Sequence, residues 1–244
     1  MFNPCLIIPV YDHEKPLPGI IARLKPFALP CLLVDDGSHA ACRHVMKELV
    51  AQESWLTYLG HERNRGKGAA VKTGLRYAKE QGYTHAVQID ADGQHDVADL
   101  PRFLRTAADS PNAIVIGQPS FDASIPKHRY YARYLTHVWV WINTLSLSIP
   151  DSMCGFRVYP VQPCIRLMDK HALGDRMQWD SEILIHLYWE DTQIVSLPTR
   201  VRYPEDGLSH FRLWRDNVGL VLMQAKHFFL LVPRLLRRLW TRAT

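Results

Sequence analysis

Thr84-His85-Ala86-Val87-Gln88-Ile89 runs into Asp90-Ala91-Asp92-Gly93-Gln94-His95, and the reading of this stretch decides the fold. The first six residues, with Ala86, Val87 and Ile89 as their apolar members, have the length of a strand. The next four put two carboxylates at i and i+2 in a tight turn, with Gly93 supplying backbone freedom for the bend. Carboxylates so spaced can converge on one hard cation such as Mg²⁺ or Mn²⁺. A D-x-D alone is equally a solvated acidic turn, so its weight depends on what surrounds it.

Working outward, Cys5–Val10, Cys31–Val34, Trp55–Leu59 and Ala113–Gly117 read as further strands. Between them Leu17–Leu24, Ala41–Gln52, Gly68–Gln81 and Pro101–Ala108 carry helical spacing of apolar residues. Strand and helix alternate, which predicts an α/β fold: a mainly parallel sheet built from right-handed βαβ units and flanked by helices. Ligands in such sheets bind beyond the carboxyl ends of the strands. Asp35-Asp36-Gly37-Ser38 and the Asp90 turn both lie there.

Composition fits this. The 244 residues are 47% hydrophobic and 22% charged, enough for a sizeable core without a disordered bias. The formal charge is +5, which suits an anionic surface or phosphorylated ligand. No nucleic-acid-binding pattern accompanies it, and no nucleic-acid partner is expected. Five cysteines without a C-x-x-C pair read as buried thiols in a reducing compartment. With no signal-peptide pattern and no clean apolar run of ~18–20 residues, a cytoplasmic protein is expected.

Three turns carry the chemistry. Asp35 and Asp36 could accept from a nucleobase or ribose, or Ser38 could cap the next helix. Asn64-Arg65-Gly66-Lys67-Gly68-Ala69-Ala70 opens a helix, and its N–H groups with Arg65 and Lys67 suit a diphosphate. It is not a Walker A loop, because Gly68 stands where Ser or Thr is required. Asp90 and Asp92, with Gln94 beside them, would hold the metal. Together the turns describe a nucleoside-diphosphate site.

In this order, Pro9-Val10-Tyr11, Val34–Ser38, Asn64–Ala70, Gln88–His95, Asp151–Arg157 (DSMCGFR) and Trp179-Asp180-Ser181-Glu182 resemble glycosyltransferase family 2. The likeness is nearest to the dolichyl-phosphate-mannose-synthase-like branch and reaches about Tyr203. A finer similarity, over Tyr130–Trp141 and Arg200–Asp216, is to glycosyltransferases encoded with aryl-polyene pigment pathways. The resemblance implies a GT-A (Rossmann-like) fold and a metal-dependent, inverting transfer from a UDP- or GDP-sugar. It implies that Pro9 and Tyr11 line the base pocket and Asp36, with Asp35, holds the base. Asp90, Ala91 and Asp92 would serve ribose, diphosphate and metal, with Gln94 completing the metal shell. One departure is Tyr11-Asp12-His13-Glu14, where members often read Tyr-Asn-Glu.

Asp180 and Glu182 are the candidate catalytic bases for a hydroxyl acceptor. A phosphate acceptor, already ionised, needs none. For a phosphate acceptor Asp151 and Arg157 would shape the acceptor loop, and His210 and Arg212, after a Pro-Glu-Asp-Gly turn, would form either a lid over the diphosphate or a plain surface turn before a helix. Residues 1–210 are expected to form the catalytic domain, split into a nucleotide-sugar half (1–117) and an acceptor half (118–210). Residues 211–244 read as an amphipathic, basic helical extension that is either interfacial, rather than spanning because Lys226, His227 and Pro233 interrupt it, or packed on the catalytic domain with an ordinary basic tail. A lipid, polyprenyl-phosphate or polyene-like acceptor at the inner face of the cytoplasmic membrane would explain the interfacial form. A sugar nucleotidyltransferase and a non-catalytic nucleotide-binding membrane adaptor are the competing readings.

Overall fold

The computed structural model describes residues 1–121, 127–201 and 213–243. Strands β1 (Pro4–Val10), β2 (Cys31–Asp35), β3 (Leu56–Gly60) and β4 (His85–Gln88) alternate with helices α1 (Leu17–Leu24), α2 (Ala40–Gln52) and α3 (Lys67–Glu80). Helix α4 (Leu100–Asp109), strand β5 (Ile114–Phe121) and helix α5 (Lys127–Thr144) follow. Strand β6 (Arg157–Pro160), helices α6 (Val161–Lys170) and α7 (Trp179–Trp189), strand β7 (Ile194–Val201) and helix α8 (Leu213–Ala243) complete the order.

The seven strands form one sheet, in the order β3-β2-β1-β4-β6-β5-β7. β1 is parallel to β2 and β4, β2 to β3, and β5 to β7. Only β6 is antiparallel to its neighbours β4 and β5. The result is the mainly parallel α/β sheet expected. It also puts the chain ends of β1, β2 and β4 on one edge, where the acidic turns begin.

Period-2 side-chain alternation splits the core into two layers. On β1, Cys5 and Ile7 join Val71, Leu75, Trp179 and Ile183 on one face. Leu6 and Ile8 join Ile20, Leu33 and Phe103 on the other. A strand covered on both faces must be apolar throughout, which is why CLIIPV carries no polar alternation.

Two features differ from the expectations. Helix α6 occupies residues 161–170, with Pro163 in its first turn, where a proline costs no hydrogen bond. Helix α8 runs through Pro233 without ending. Its Trp214–Leu235 stretch has mean hydropathy 1.3 and is long and apolar enough to cross a membrane by length and composition alone.

The faces of α8 are reversed relative to an ordinary surface helix. Asp216, Leu220, Met223, Gln224, His227 and Leu231 are buried, a stripe with three polar members. Val218, Val221, Leu222, Phe229 and Val232 face outward. The inward stripe docks on α5 and α7: Asn143 Nδ2 donates to Gln224 Oε1 at 2.7 Å, and Arg234 lies over the Trp189 ring.

Candidate active site

Asp35 closes β2, and its buried carboxylate is fully engaged within the fold. It accepts from Ser38 N (2.8 Å), Arg43 Nε (3.1 Å) and Tyr58 Oη (2.7 Å). Burial alone would raise its pKa, but these donors outweigh it and hold the carboxyl below its ordinary value. Asp36 turns the other way and organises residues 61–66. It takes His61 Nδ1 and Asn64 Nδ2 with the backbone N–H groups of Arg65 and Gly66, all at 2.7–2.9 Å. Gly37, at φ +72°, leaves no room for a Cβ against the Arg63 backbone. The turn after β2 therefore fixes the turn after β3.

The turn after β3 places Gly66, at φ +112°, before the first residue of α3. The start of α3 is covered by residues 174–179. Ala69 N donates to Asp175 O at 2.8 Å, and a Cβ on Gly68 would meet Trp179 at 2.6 Å. The glycines here serve close packing. The two cations of the turn diverge. Arg65, exposed, lines a cavity of about 320 Å³ with Lys72, Thr73, Arg76 and His171. Lys67 reaches inward, its Nζ 2.9 Å from Asp90 Oδ2 and 2.8 Å from Asp180 Oδ2.

The Lys67–Asp90–Asp180 cluster joins α3, the turn after β4 and the first turn of α7. Burial opposes the Lys67 charge, but Asp180 and Asp90 more than compensate and raise its pKa. Burial likewise works against the charged form of Asp90, and Lys67 and His95 overturn it, driving the carboxyl well below its usual range. Asp90 is aimed by its surroundings. Gln88 Nε2 donates to Oδ1 at 3.1 Å, and Tyr159 Oη donates to Gln88 Oε1 at 3.0 Å. Gly155 lies flat against it, since a Cβ there would sit 2.0 Å from Asp90 Oδ2. Asp92 is half-buried and accepts from Gln94 N at 3.0 Å, while Ala91 is packed into the core.

Comparison with known proteins bears on what this cluster serves. The glycosyl transferase family 2 model matches residues 5–176, which include the β1, β2 and β4 turns. The chain belongs to that family. It is a glycosyltransferase. It is 26% identical over 220 residues to the UDP-N-acetylglucosamine–dolichyl-phosphate N-acetylglucosaminyltransferase of Methanococcus voltae, covering 84% of this chain and 87% of that protein. It is 30% identical over 171 residues to the polyprenol monophosphomannose synthase of Mycolicibacterium smegmatis, covering 63% and 60% respectively. Its fold is similar to glucosyl-3-phosphoglycerate synthase of Mycobacterium tuberculosis, solved with Mn²⁺ and UDP-glucose. The TM-score is 0.64 at 16% identity, covering 96% of this chain and 79% of that one.

Within the glycosyltransferase, Pro9 lies on β1 opposite Val34, and Tyr11 follows it, half-buried, on the same edge. Asp151 and Arg157 are both buried. Arg157 donates to the carbonyls of Ser152, Cys154 and Asp180, tying the 151–157 loop to the start of α7. Asp151 is gripped by Arg133 and His137 of α5 and held well below the usual carboxylate range, although burial alone would raise it. Burial pushes the Cys154 thiol up to about 12, the opposite of an activated nucleophile.

Glu182 points away from the cluster. Its Oε2 accepts from Gly174 N at 2.6 Å, and its Oε1 faces α8. Residues two apart on a helix diverge by about 200°, so only Asp180 of this pair meets Lys67. His210 and Arg212 lie outside the described residues. Lys67 as a bridge to Asp180, Gly155 as a floor for Asp90, and the Gln88–Tyr159 support are features the sequence reading does not contain. The glycine in DSMCGFR was their one visible signal.

Proposed function

We propose that this glycosyltransferase moves a sugar, with inversion at the anomeric carbon, from a UDP- or GDP-sugar to a polyprenyl-phosphate-type lipid at the cytoplasmic face of a membrane. The observation that carries the reading is the Lys67–Asp90–Asp180 cluster on the carboxyl edge of the sheet. It is joined through Arg157 and Asp151 to α5, which with α8 presents an outward apolar surface. Tyr134, Leu135 and Trp139 of α5 and Val221, Leu222 and Phe229 of α8 are exposed there. Trp139 and Phe228 meet edge to face at 6.5 Å. Apolar surface of this kind marks an interaction site, and the basic end of α8 suits anionic lipid. The two named polyprenyl- and dolichyl-phosphate relatives favour the same acceptor class.

The donor set fits a divalent cation such as Mg²⁺ or Mn²⁺. Near Asp90, Asp180 Oδ1 is buried without a hydrogen-bond partner, as expected of an atom that meets a polar ligand, and His95 turns its Nε2 toward Asp90 Oδ2 at 3.8 Å. Asp90 and Asp92, with Gln94 adjacent, would hold the ion, which supplies Lewis-acid charge to the departing diphosphate. Lys67 adds a fixed positive charge beside it. Pro9 and Tyr11 flank the nucleoside. Asp35 and Asp36 support that pocket indirectly, by setting the backbone of the two turns around it. Asp180 anchors Lys67 and, because an ionised phosphate is already a nucleophile, has no proton to remove.

A second reading has one observation in its favour. Asp180 Oδ1, with no hydrogen-bond partner and Arg157 4.0 Å away, could take a proton from a hydroxyl acceptor. Incubation of the full chain with labelled UDP- and GDP-sugars, Mn²⁺ and vesicles carrying either a polyprenyl phosphate or a polyprenol separates the two. Label entering the lipid phase only with the phosphate is the expected result. Transfer to the alcohol alone supports the second reading. Pyrophosphate release from a nucleoside triphosphate and a sugar phosphate contradicts both.

A further inference from the structure

Away from the sheet edge, α7 and α8 bury a second polar cluster that the transfer chemistry does not use. Glu182 and His186 stand four apart on one face of α7, and His227 faces them from α8. Their exposures are 3%, 5% and 0%. His227 Nε2 lies 3.1 Å from His186 Nε2 and 3.9 Å from Glu182 Oε1, and the donor atoms of the three residues all lie within 4.8 Å of one another.

The outer contacts aim these atoms inward. His227 Nδ1 donates to the Met223 carbonyl at 2.7 Å. A carbonyl only accepts, so the Nδ1 proton is fixed and the Nε2 lone pair is directed into the cluster. Glu182 Oε2 accepts from Gly174 N, which orients Oε1 toward His227. An imidazole whose second nitrogen binds a backbone carbonyl, and a carboxylate held through its other oxygen, are the usual supports of metal ligands.

We propose that Glu182, His186 and His227 bind one borderline transition-metal dication of the Zn²⁺ class, which fastens α8 to the catalytic domain. Two imidazole nitrogens and one carboxylate oxygen favour Zn²⁺ over Mg²⁺. A tetrahedral ion with Zn–N near 2.0–2.1 Å separates its ligand atoms by about 3.3 Å, between the two distances to His227. Lys226 Nζ lies 3.5 Å from Glu182 Oε1, but its side chain is 53% exposed and can release the carboxylate to water-side contacts. Two ligands on one helix and one on the other make the ion a clamp across the interface.

The competing arrangement is a metal-free pair of neutral histidines, with His186 Nε2–H donating to His227. Chelator-stripped full chain, without nucleotide-sugar, distinguishes them on titration with Co²⁺ and then Zn²⁺. The expected result is one equivalent of Co²⁺ with intense tetrahedral visible bands, displacement by Zn²⁺, and a rise in Tm. His227→Gln and His186→Gln abolish the bands, and Asp92→Ala retains them. Only the weak spectrum of octahedral cobalt in the wild-type chain would overturn the proposal, as would bands that survive His227→Gln or vanish in Asp92→Ala. If the histidine variants do not fold, the wild-type spectrum and Glu182→Gln decide the matter, since loss of the bands in the folded Glu182→Gln chain supports the site and their persistence unchanged overturns it.

Discussion

The two sides of α7 hold buried polar clusters of opposite character. Asp180 faces Lys67 and Asp90, a set of hard oxygen ligands with a protein cation among them. Glu182 faces His186 and His227, a set with two ring nitrogens and one carboxylate oxygen. The first lies at the open edge of a parallel sheet, where ligands enter, and the second is sealed between helices. The difference teaches that the acidic motif of this helix is not one functional unit. Two carboxylates two residues apart face the sheet edge on one side and helix α8 on the other.

The largest expected break in this comparison is Lys67→Met. It leaves Asp90 and Asp180 without the cation between them, so transfer should fall by about two to three orders of magnitude. Removing one partner of a buried ion pair should also cost about 3–5 kcal/mol of stability. Steady-state kinetics and denaturant melts check these, while cobalt binding at the α7–α8 cluster should persist. Next is Gly155→Ala, whose Cβ would displace the Asp90 carboxylate. The expected outcome is a loss in kcat of about tenfold or more, since an ångström of misplacement is costly, with far-ultraviolet circular dichroism unchanged.

Asp151→Asn tests the link between the two regions. Because the folded pKa of Asp151 is depressed by Arg133 and His137, its contribution to stability is full above its unfolded value of about 3.9 and is lost as pH falls below it. The variant should be about 3–5 kcal/mol less stable at pH 7, and its stability should change less with pH below about 4, measured by urea melts. The smallest effect on folding belongs to Val221→Asp on the outer face of α8. Stability should stay within about 0.5 kcal/mol, while co-sedimentation with anionic vesicles falls sharply. Unchanged sedimentation would break the assignment of that face to the membrane.

Most of the sheet was legible because buried parallel strands announce themselves as unbroken apolar runs, as in Cys5–Val10. The pairing of β6 was not. Arg157–Pro160 is four residues long, and its place between β4 and β5 depends on partners distant in the chain. The Asp90 turn could be read locally, because a strand precedes it and a glycine follows. What Asp35 and Asp36 bind could not, because their donors sit at Tyr58 and in residues 61–66 and arrive only when the turns close on each other. The divergence of Asp180 and Glu182 was visible in their spacing. The destination of Glu182 was not, since it depends on the reversed faces of α8.

Calorimetric titration of UDP- and GDP-sugars tests the central assignment most directly, with and without Mn²⁺, into the wild-type chain, Asp92→Ala and His227→Gln. The expected result is Mn²⁺-dependent donor binding by the wild type and by His227→Gln, and its loss in Asp92→Ala. Donor binding unchanged in Asp92→Ala, or abolished only in His227→Gln, would contradict the placement of the donor at the sheet edge.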